Sequence, residues 1–360
     1  MKPKFHPIAG VVLALALLTM LGAAAAAANV PFPCDPAYVT KSGRFIRVAP
    51  NGVDDTANIQ CAFDAATAAG PGLTIRLTPG TFHTAQILVV GFQGAFRGSG
   101  IQATEILNLP DVYVIPDIAA IPPSPDHPWP DLFIFLDSDV SISNLAIRVL
   151  GENPTTDWYI GEFGPFNQYG CAILVSGTES RLRIANIALE GERSTTSPIG
   201  YNVFNGINFA GYVTTEGVDF LPLTGANVIT GSRFKTLGWP TDSGNLIGAA
   251  VVYSHNTYSD VVVAVDLEDF VNTSIKVFEN RIEAIDAGIL AYNALSAGDV
   301  ATSYDIRNNV VKAPLGIGMF PTLDEASTCL VKNNNLRWVT DSPIVIGDGA
   351  TACVLRNNRD

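Results

Sequence analysis

An asparagine that returns at one turn, about every 24 residues, restricts this chain more than any other feature. Aligning IKVFENRIEAI, DIRNNVVKAP, LVKNNNLRWV and CVLRNNRD puts Asn280, Asn309, Asn334 and Asn358 in register, at spacings of 29, 25 and 24 residues. VSISNLAIRV and LRIANIALEG place Asn144 and Asn186 in the same context, and Ser232 in VITGSRFKTL takes the equivalent slot. Each slot stands between two short apolar strands. A further apolar strand leads into the repeat, usually opened by glycine: Gly170, Gly206, Gly248, Gly288 and Gly316. The unit is strand, turn, strand, Asn turn, strand and variable loop. Short strands alone would suit a sandwich. A fixed period with an asparagine at one turn favours a solenoid, because stacked amides can hydrogen-bond along its axis.

A solenoid needs an end cap, since an open end exposes core and unpaired strand edges. Asp54, Asp55 and Thr56 begin a helix over about 54–69, in which Ile59, Ala62, Phe63 and Ala66 form one apolar stripe. This stretch, DDTANIQCAFDAATAAG, with LTIRLTPGTFHTAQILV and FRGSGIQATEI after it, resembles the opening of the pectate-lyase-like superfamily. The resemblance implies an all-β fold, a single-stranded right-handed parallel β-helix of roughly eight rungs over residues 29–360. It also implies a glycan groove along one sheet. Thr78-Pro79-Gly80-Thr81-Phe82 departs slightly from the superfamily's usual wording, and the catalytic elements of the classical pectate lyases, the polygalacturonases and the mannuronan epimerases are absent, so no catalytic residue carries over. Asn144 to Asn186 is 42 residues, Asn186 to Ser232 is 46, and Ser232 to Asn280 is 48. The last gap is two rungs or one with an excursion. Loops are expected near 151–168, 192–204, 236–247 and 254–272, with a Pro-rich excursion at 110–130.

Residues 1–28 have the form of a cleaved export signal: Lys2 and Lys4, an apolar run from Ile8 to Leu21, then small residues to Ala28. The run is shorter than the roughly 20 residues a span needs. A secreted or periplasmic protein with no membrane association after cleavage follows. Five cysteines suit that compartment. Cys329 and Cys353 lie one repeat apart, so stacking would bring them together, and Cys34 and Cys61 would tie the N-terminal arm to the helix. Cys171 remains, in an apolar strand. The chain carries 21 Lys and Arg against 34 Asp and Glu, a net charge of −13. No basic footprint is visible along the sequence, which argues against a nucleic-acid partner.

Chemistry is less legible. For a lyase acting on an acidic polysaccharide, the leading expectation, Arg233 and Lys235 share a strand face and are the basic candidates, with Arg183 and Arg281 as further cations. Their alternative is a solvated strand edge. For a hydrolase, Asp137 beside Asp139 is the candidate carboxylate. His255 sits where loops are expected to converge. Trp158, Tyr159, Trp239 and Tyr258 are candidate sugar platforms or loop-packing rings. Asp260, Asp266, Glu268 and Asp269 form an acidic group able to hold Ca²⁺ or simply to face solvent. A non-catalytic glycan-binding or structural surface protein is the rival from another class.

Overall fold

The computed structural model describes residues 32–109, 131–152, 169–177, 180–197, 199–210, 225–292 and 301–360. The leader, the 110–130 segment, Trp158 and Tyr159 lie outside the described residues. The rest is a right-handed parallel β-helix. Three sheets run its length. Sheet A holds Phe45–Val48, Leu73–Leu77, Gln93–Arg97, the first halves of Asp139–Arg148 and Arg181–Glu190, and then Gly225–Thr230, Ala249–Ser254, Ser274–Phe278, Ser303–Arg307, Thr328–Lys332 and Cys353–Arg356. Sheet B follows the Asn turn and sheet C follows sheet B. Strands Thr257–Val271 and Arg281–Tyr292 serve both, bending from B into C. Between Leu73 and Phe320, eight complete turns contribute a strand to every sheet.

The 48-residue gap is two rungs, and its middle slot holds Asn256. Asn256 donates from Nδ2 to the Ile229 carbonyl at 2.9 Å, while its Oδ1 accepts from the Ser232 N–H at 3.0 Å. Asn280, Asn309, Asn334 and Asn358 repeat that arrangement, each Oδ1 accepting from the backbone N–H of the slot one rung earlier at 3.0–3.1 Å. The ladder satisfies buried backbone groups where the chain turns, which is why an amide is needed there.

Asn144 and Asn186 lie outside this buried ladder, although they bond each other one rung apart, Asn186 Nδ2 donating to Asn144 Oδ1 at 2.7 Å. They occupy the preceding position, in the left-handed region at φ 59° and 54°, alongside His255, Glu279, Asn308, Asn333 and Asn357. The slot itself holds Leu145 and Ile187 in those rungs, and the Ile187 N–H bonds Ser232 Oγ at 3.3 Å. Asparagine tolerates a positive φ better than most residues, so both positions select it for different reasons.

The expected loops at 236–247 and 254–272 are strands, Arg233–Leu237 with Trp239–Ile247 and Thr257–Val271. Polar residues lie on both faces of Trp239–Ile247, Thr241 and Ser243 inward and Asp242 outward, so that stretch carries no apolar alternation. The excursion near 192–204 exists, closed by a bridge between Arg193 and Tyr201.

Helix α1, Thr56–Ala68, caps the first turn with Ile59, Ala62, Phe63 and Ala66 buried. Phe63 packs on Phe92, Phe96 and Phe135 at 5.1–5.7 Å between ring centroids. Gln60 imitates a backbone: its amide accepts from Leu88 N–H at 3.1 Å and donates to Leu88 C=O at 2.7 Å, closing the edge of Ile87–Val90. Both expected disulfides are present, Cys34–Cys61 and Cys329–Cys353, the second joining register partners with Cα atoms 4.4 Å apart. No helix among the described residues is long and apolar enough to cross a membrane.

Candidate functional site

Parallel register places Asn208, Asp242 and Asp266 side by side on three successive strands of sheet C. Two residues further along, Gly244, Glu268 and Tyr292 form the next outward row. Oxygen atoms of Asp242, Asp266 and Glu268 therefore all come within 4.8 Å of one another. Gly244 keeps the space beside Glu268 open, since a Cβ there would lie 3.3 Å from the Glu268 Cβ.

Amides and a phenol hold the carboxyl groups. Asn205 and Asn208 each donate from Nδ2 to Asp242 Oδ2, at 2.9 and 2.8 Å. The Tyr292 hydroxyl bonds Glu268 Oε1 and reaches Asp266 Oδ2 at 3.5 Å. Asp266 is 3% exposed, and its buried Oδ1 has no hydrogen-bond partner among the described residues. Burial above all, then the neighbouring Glu268, pushes the carboxyls of Asp242 and Asp266 well above the usual carboxylate range. Neither forms an ion pair with a Lys or Arg among the described residues. Burial and the nearby carboxylates also push the Tyr292 phenol up, so it donates a hydrogen bond rather than serving as a base.

The polar network continues inward. The buried Cys171 thiol lies between Asp131 and Asn205, and burial pushes it up, with Asp131 and Asp242 adding to the effect. That excludes an activated thiol. Asp131 is fully buried, its Oδ1 accepting from the Cys171 N–H at 2.5 Å. Burial raises its carboxyl to about 7, against the Cys171 hydrogen bond that lowers it. The folded chain thus keeps a proton that the unfolded chain releases near pH 4, so this group's contribution to stability falls as pH rises from about 4 to about 7. Replacing Asp131 with Asn is expected to remove that slope. Between pH 4 and pH 8 the variant should gain about 4 kcal/mol on the parent, for roughly three pK units at 1.36 kcal/mol each. Urea unfolding at both pH values checks it, and parallel curves for the two chains would refute it.

The sequence candidates distribute differently from expectation. Asp266 and Glu268 belong to the cluster. Asp260 does not: it sits in a left-handed turn, paired with Arg193 and accepting from Tyr201 and Thr236 hydroxyls at 3.2 and 3.1 Å, where it fastens the 192–201 excursion. The Asp269 side chain lies outside the described part. Asp137 occupies a left-handed turn at φ 47°, while Asp139 begins the next strand and pairs with Arg183. His255 is a turn residue with Nε2 2.6 Å from Glu279. Arg233 and Lys235 do share an exposed face of sheet B, but Lys235 pairs with Glu190 at 2.6 Å. Tyr258 is buried and stacked on Phe234 at 5.0 Å, so it presents no platform to a sugar. Trp239 is half-buried against Phe204, on the strand that carries Asp242. Asp242 is absent from the sequence candidates because 236–247 reads as a loop. Its signal was present: Asp242 and Asp266 are 24 residues apart, one repeat, as are Gly244, Glu268 and Tyr292.

Fold and site together define a disulfide-bonded parallel β-helix with a carboxyl cluster on one outer sheet face. No family model matches the chain, and no curated protein matches it. Among solved structures, a polygalacturonase from Erwinia carotovora ssp. carotovora is 12% identical over 88% of this chain and 97% of its own, with a TM-score of 0.45. The pectin methylesterase PemA from Erwinia chrysanthemi is 10% identical, covering 82% and 88%, at 0.37. PfbA, a surface adhesin of Streptococcus pneumoniae, is 13% identical, covering 87% and 89%, at 0.42. These are likenesses of chain path, and the activities named belong to those proteins.

Proposed function

We propose that this protein is an exported glycan-active β-helix that cleaves a polysaccharide by acid–base hydrolysis at Asp242, Asp266 and Glu268. The observation that carries this is the gathering of three carboxyl groups from two adjacent rungs, two of them favouring the protonated form. Glycosidic cleavage needs one carboxyl that holds a proton for the leaving oxygen and another that is ionised beside the sugar. A protonated Asp242 or Asp266 supplies the first. Glu268, at the open end beside Gly244, supplies the second. Their separation, within 4.8 Å between nearest oxygens, is closer to the spacing of retaining than of inverting glycosidases.

Elimination, the lyase chemistry expected from sequence, has weaker support. It needs a base at the sugar's acidic carbon, and Lys235 is on sheet B in an ion pair with Glu190. A second reading has its own observation: Asp266 Oδ1, Asn205 Oδ1 and Asn208 Oδ1 are buried without a hydrogen-bond partner among the described residues and offer hard oxygen donors. Asp242, Asp266, Glu268 and Asn208 would suit Ca²⁺, whose charge would bind a uronate carboxylate at the same place. Calcium would then hold both aspartates ionised.

A turnover screen against pectate, alginate, glycosaminoglycans and neutral glycans, with calcium present or chelated, separates these. New reducing ends that survive chelation are expected. Unsaturated product absorbance would overturn hydrolysis in favour of elimination, and activity lost on chelation would favour the calcium reading. A folded protein inert on every glycan would leave the binding-protein alternative.

A further inference from the structure

Sheets A and B treat their outward charges in opposite ways. On sheet B the outward row runs Arg148, Glu190, Lys235, Ser259, Glu283, Lys312, so the signs alternate and neighbours pair at 2.6–3.6 Å. That row neutralises itself. On sheet A one outward row contains Arg47, Arg76 and Arg97 on three consecutive strands, and Arg307, Lys332 and Arg356 on the last three. The positions between them hold Ser, Ala, Thr and Phe, and no acid. Adjacent parallel strands stand about 4.8 Å apart, and like charges directly opposite one another are destabilising. Arg47, Arg76 and Arg97 are exposed and have no carboxylate partner among the described residues. Arg307 pairs with Asp305 of its own strand and lies over the Phe278 ring of the neighbouring one. A protein with 34 acids and 21 bases has segregated six bases into one acid-free row.

We propose that the outer face of sheet A binds a linear acidic polysaccharide, one carrying a carboxylate or sulfate on most sugars, laid along the solenoid axis. Within each group of three the row supplies a cation at successive strands, a step close to the length of one sugar, and uncharged residues span the five strands between the groups. The parallel row two residues earlier adds what a sugar face needs beside its anion: Phe45, 48% exposed, then Thr74, Ala95, Ser141 and Arg183. A single file of cations flanked by small and aromatic side chains suits a narrow chain with apolar ring faces better than a duplex. The overall charge of −13 repels polyanions at long range, so retention must come from this row alone. The surface is separate from the carboxyl cluster on sheet C and does not depend on what that cluster does.

The test measures equilibrium binding of the full chain, carrying Asp242→Asn to prevent turnover, to polygalacturonate and to chondroitin sulfate over a salt series. Dextran and single-stranded oligothymidylate serve as the neutral and nucleic-acid comparisons. Binding to one or both acidic glycans is expected, tighter than to either comparison. The triple variant Arg47→Ser, Arg76→Ser, Arg97→Ser should lose at least tenfold in affinity near 50 mM salt. Its log K against log salt slope should fall by about two to three, one released counterion per lost contact. Its melting temperature should not drop, because a like-charge stack has been relieved. Removing three bases from sheet B instead, Arg148→Ser, Lys235→Ser, Lys312→Ser, should leave the binding slope unchanged. An absence of binding by the parent, equal loss in both triple variants, or equal affinity for the oligothymidylate would each overturn the proposal. Carboxylate against sulfate preference identifies the source of the anion.

Discussion

Asp242→Asn and Asp266→Asn are each expected to lower glycan turnover by a factor of about 10² to 10⁴, the range that a positioned proton donor contributes. The loss should fall in kcat more than in KM, because an amide keeps the side chain's shape and can still accept the bonds from Asn205 and Asn208 at position 242 and from Tyr292 at position 266. Stability should move the other way. Two buried carboxyls share a few ångströms with Glu268, and each is pushed up by burial and by that neighbour. The unfolded chain releases these protons near pH 4 while the folded chain retains them, so the pair destabilises the fold increasingly as pH rises above 4. Either amide variant should therefore melt higher than the parent at pH 8 and nearly with it at pH 4. A stabilised and inactive variant is the signature of a strained site kept for chemistry. Full activity in a folded Asp242→Asn chain would remove Asp242 from the reaction, and a variant destabilised at pH 8 would mark the cluster as structural. Calcium that raises the parent's melting temperature, and not that of Asp266→Asn, would point to the metal-binding alternative.

Asn309→Ala should be the most damaging single change to the fold, at about 3–6 kcal/mol. Asn309 is fully buried. Its Oδ1 accepts from both the backbone N–H and the side-chain Nδ2 of Asn280, at 3.1 and 3.0 Å, and its Nδ2 donates to Val277 C=O at 2.9 Å and to Asn334 Oδ1 at 3.0 Å. Truncation strands groups on two neighbouring rungs, and each stranded buried group costs about 1–3 kcal/mol. Asn308→Ala, one residue earlier, is a useful contrast. Asn308 stands at φ 56°, so alanine there costs backbone strain, on the order of 1 kcal/mol, and leaves the ladder intact. Denaturant midpoints for the two variants should differ by several-fold in effect. Equal losses would show that the turn, not the ladder, holds the rungs together.

That contrast also marks where sequence stops being legible. The repeat, the capping helix and both disulfides could be read directly because each depends on local or periodic information. A slot recurring every 24 to 29 residues, an apolar stripe at helical spacing, and two cysteines one repeat apart need no knowledge of neighbouring rungs. Asn144 and Asn186 were misassigned by one position for the same reason. A left-handed turn and a ladder slot are adjacent and both favour asparagine, so residue type cannot tell them apart, while φ and hydrogen bonding can. The segments 236–247 and 254–272 read as loops because the first has polar residues on both faces, with Thr241 and Ser243 inward, and Asp260, Asp266 and Glu268 break up the apolar run of the second.

By itself the sequence determined a capped, disulfide-closed β-solenoid, since one period and one cap leave the chain no other way to bury its strands. Only the tertiary structure decided which side chains meet. Asp242 and Asp266 become neighbours, and Arg47, Arg76 and Arg97 become a row, solely because parallel register sets residues one turn of chain apart side by side. Turn lengths in this solenoid are unequal, so a difference in residue number does not give a position on the axis. The backbone hydrogen bonds between rungs do, and they place the carboxyl cluster on sheet C and the cationic row on sheet A.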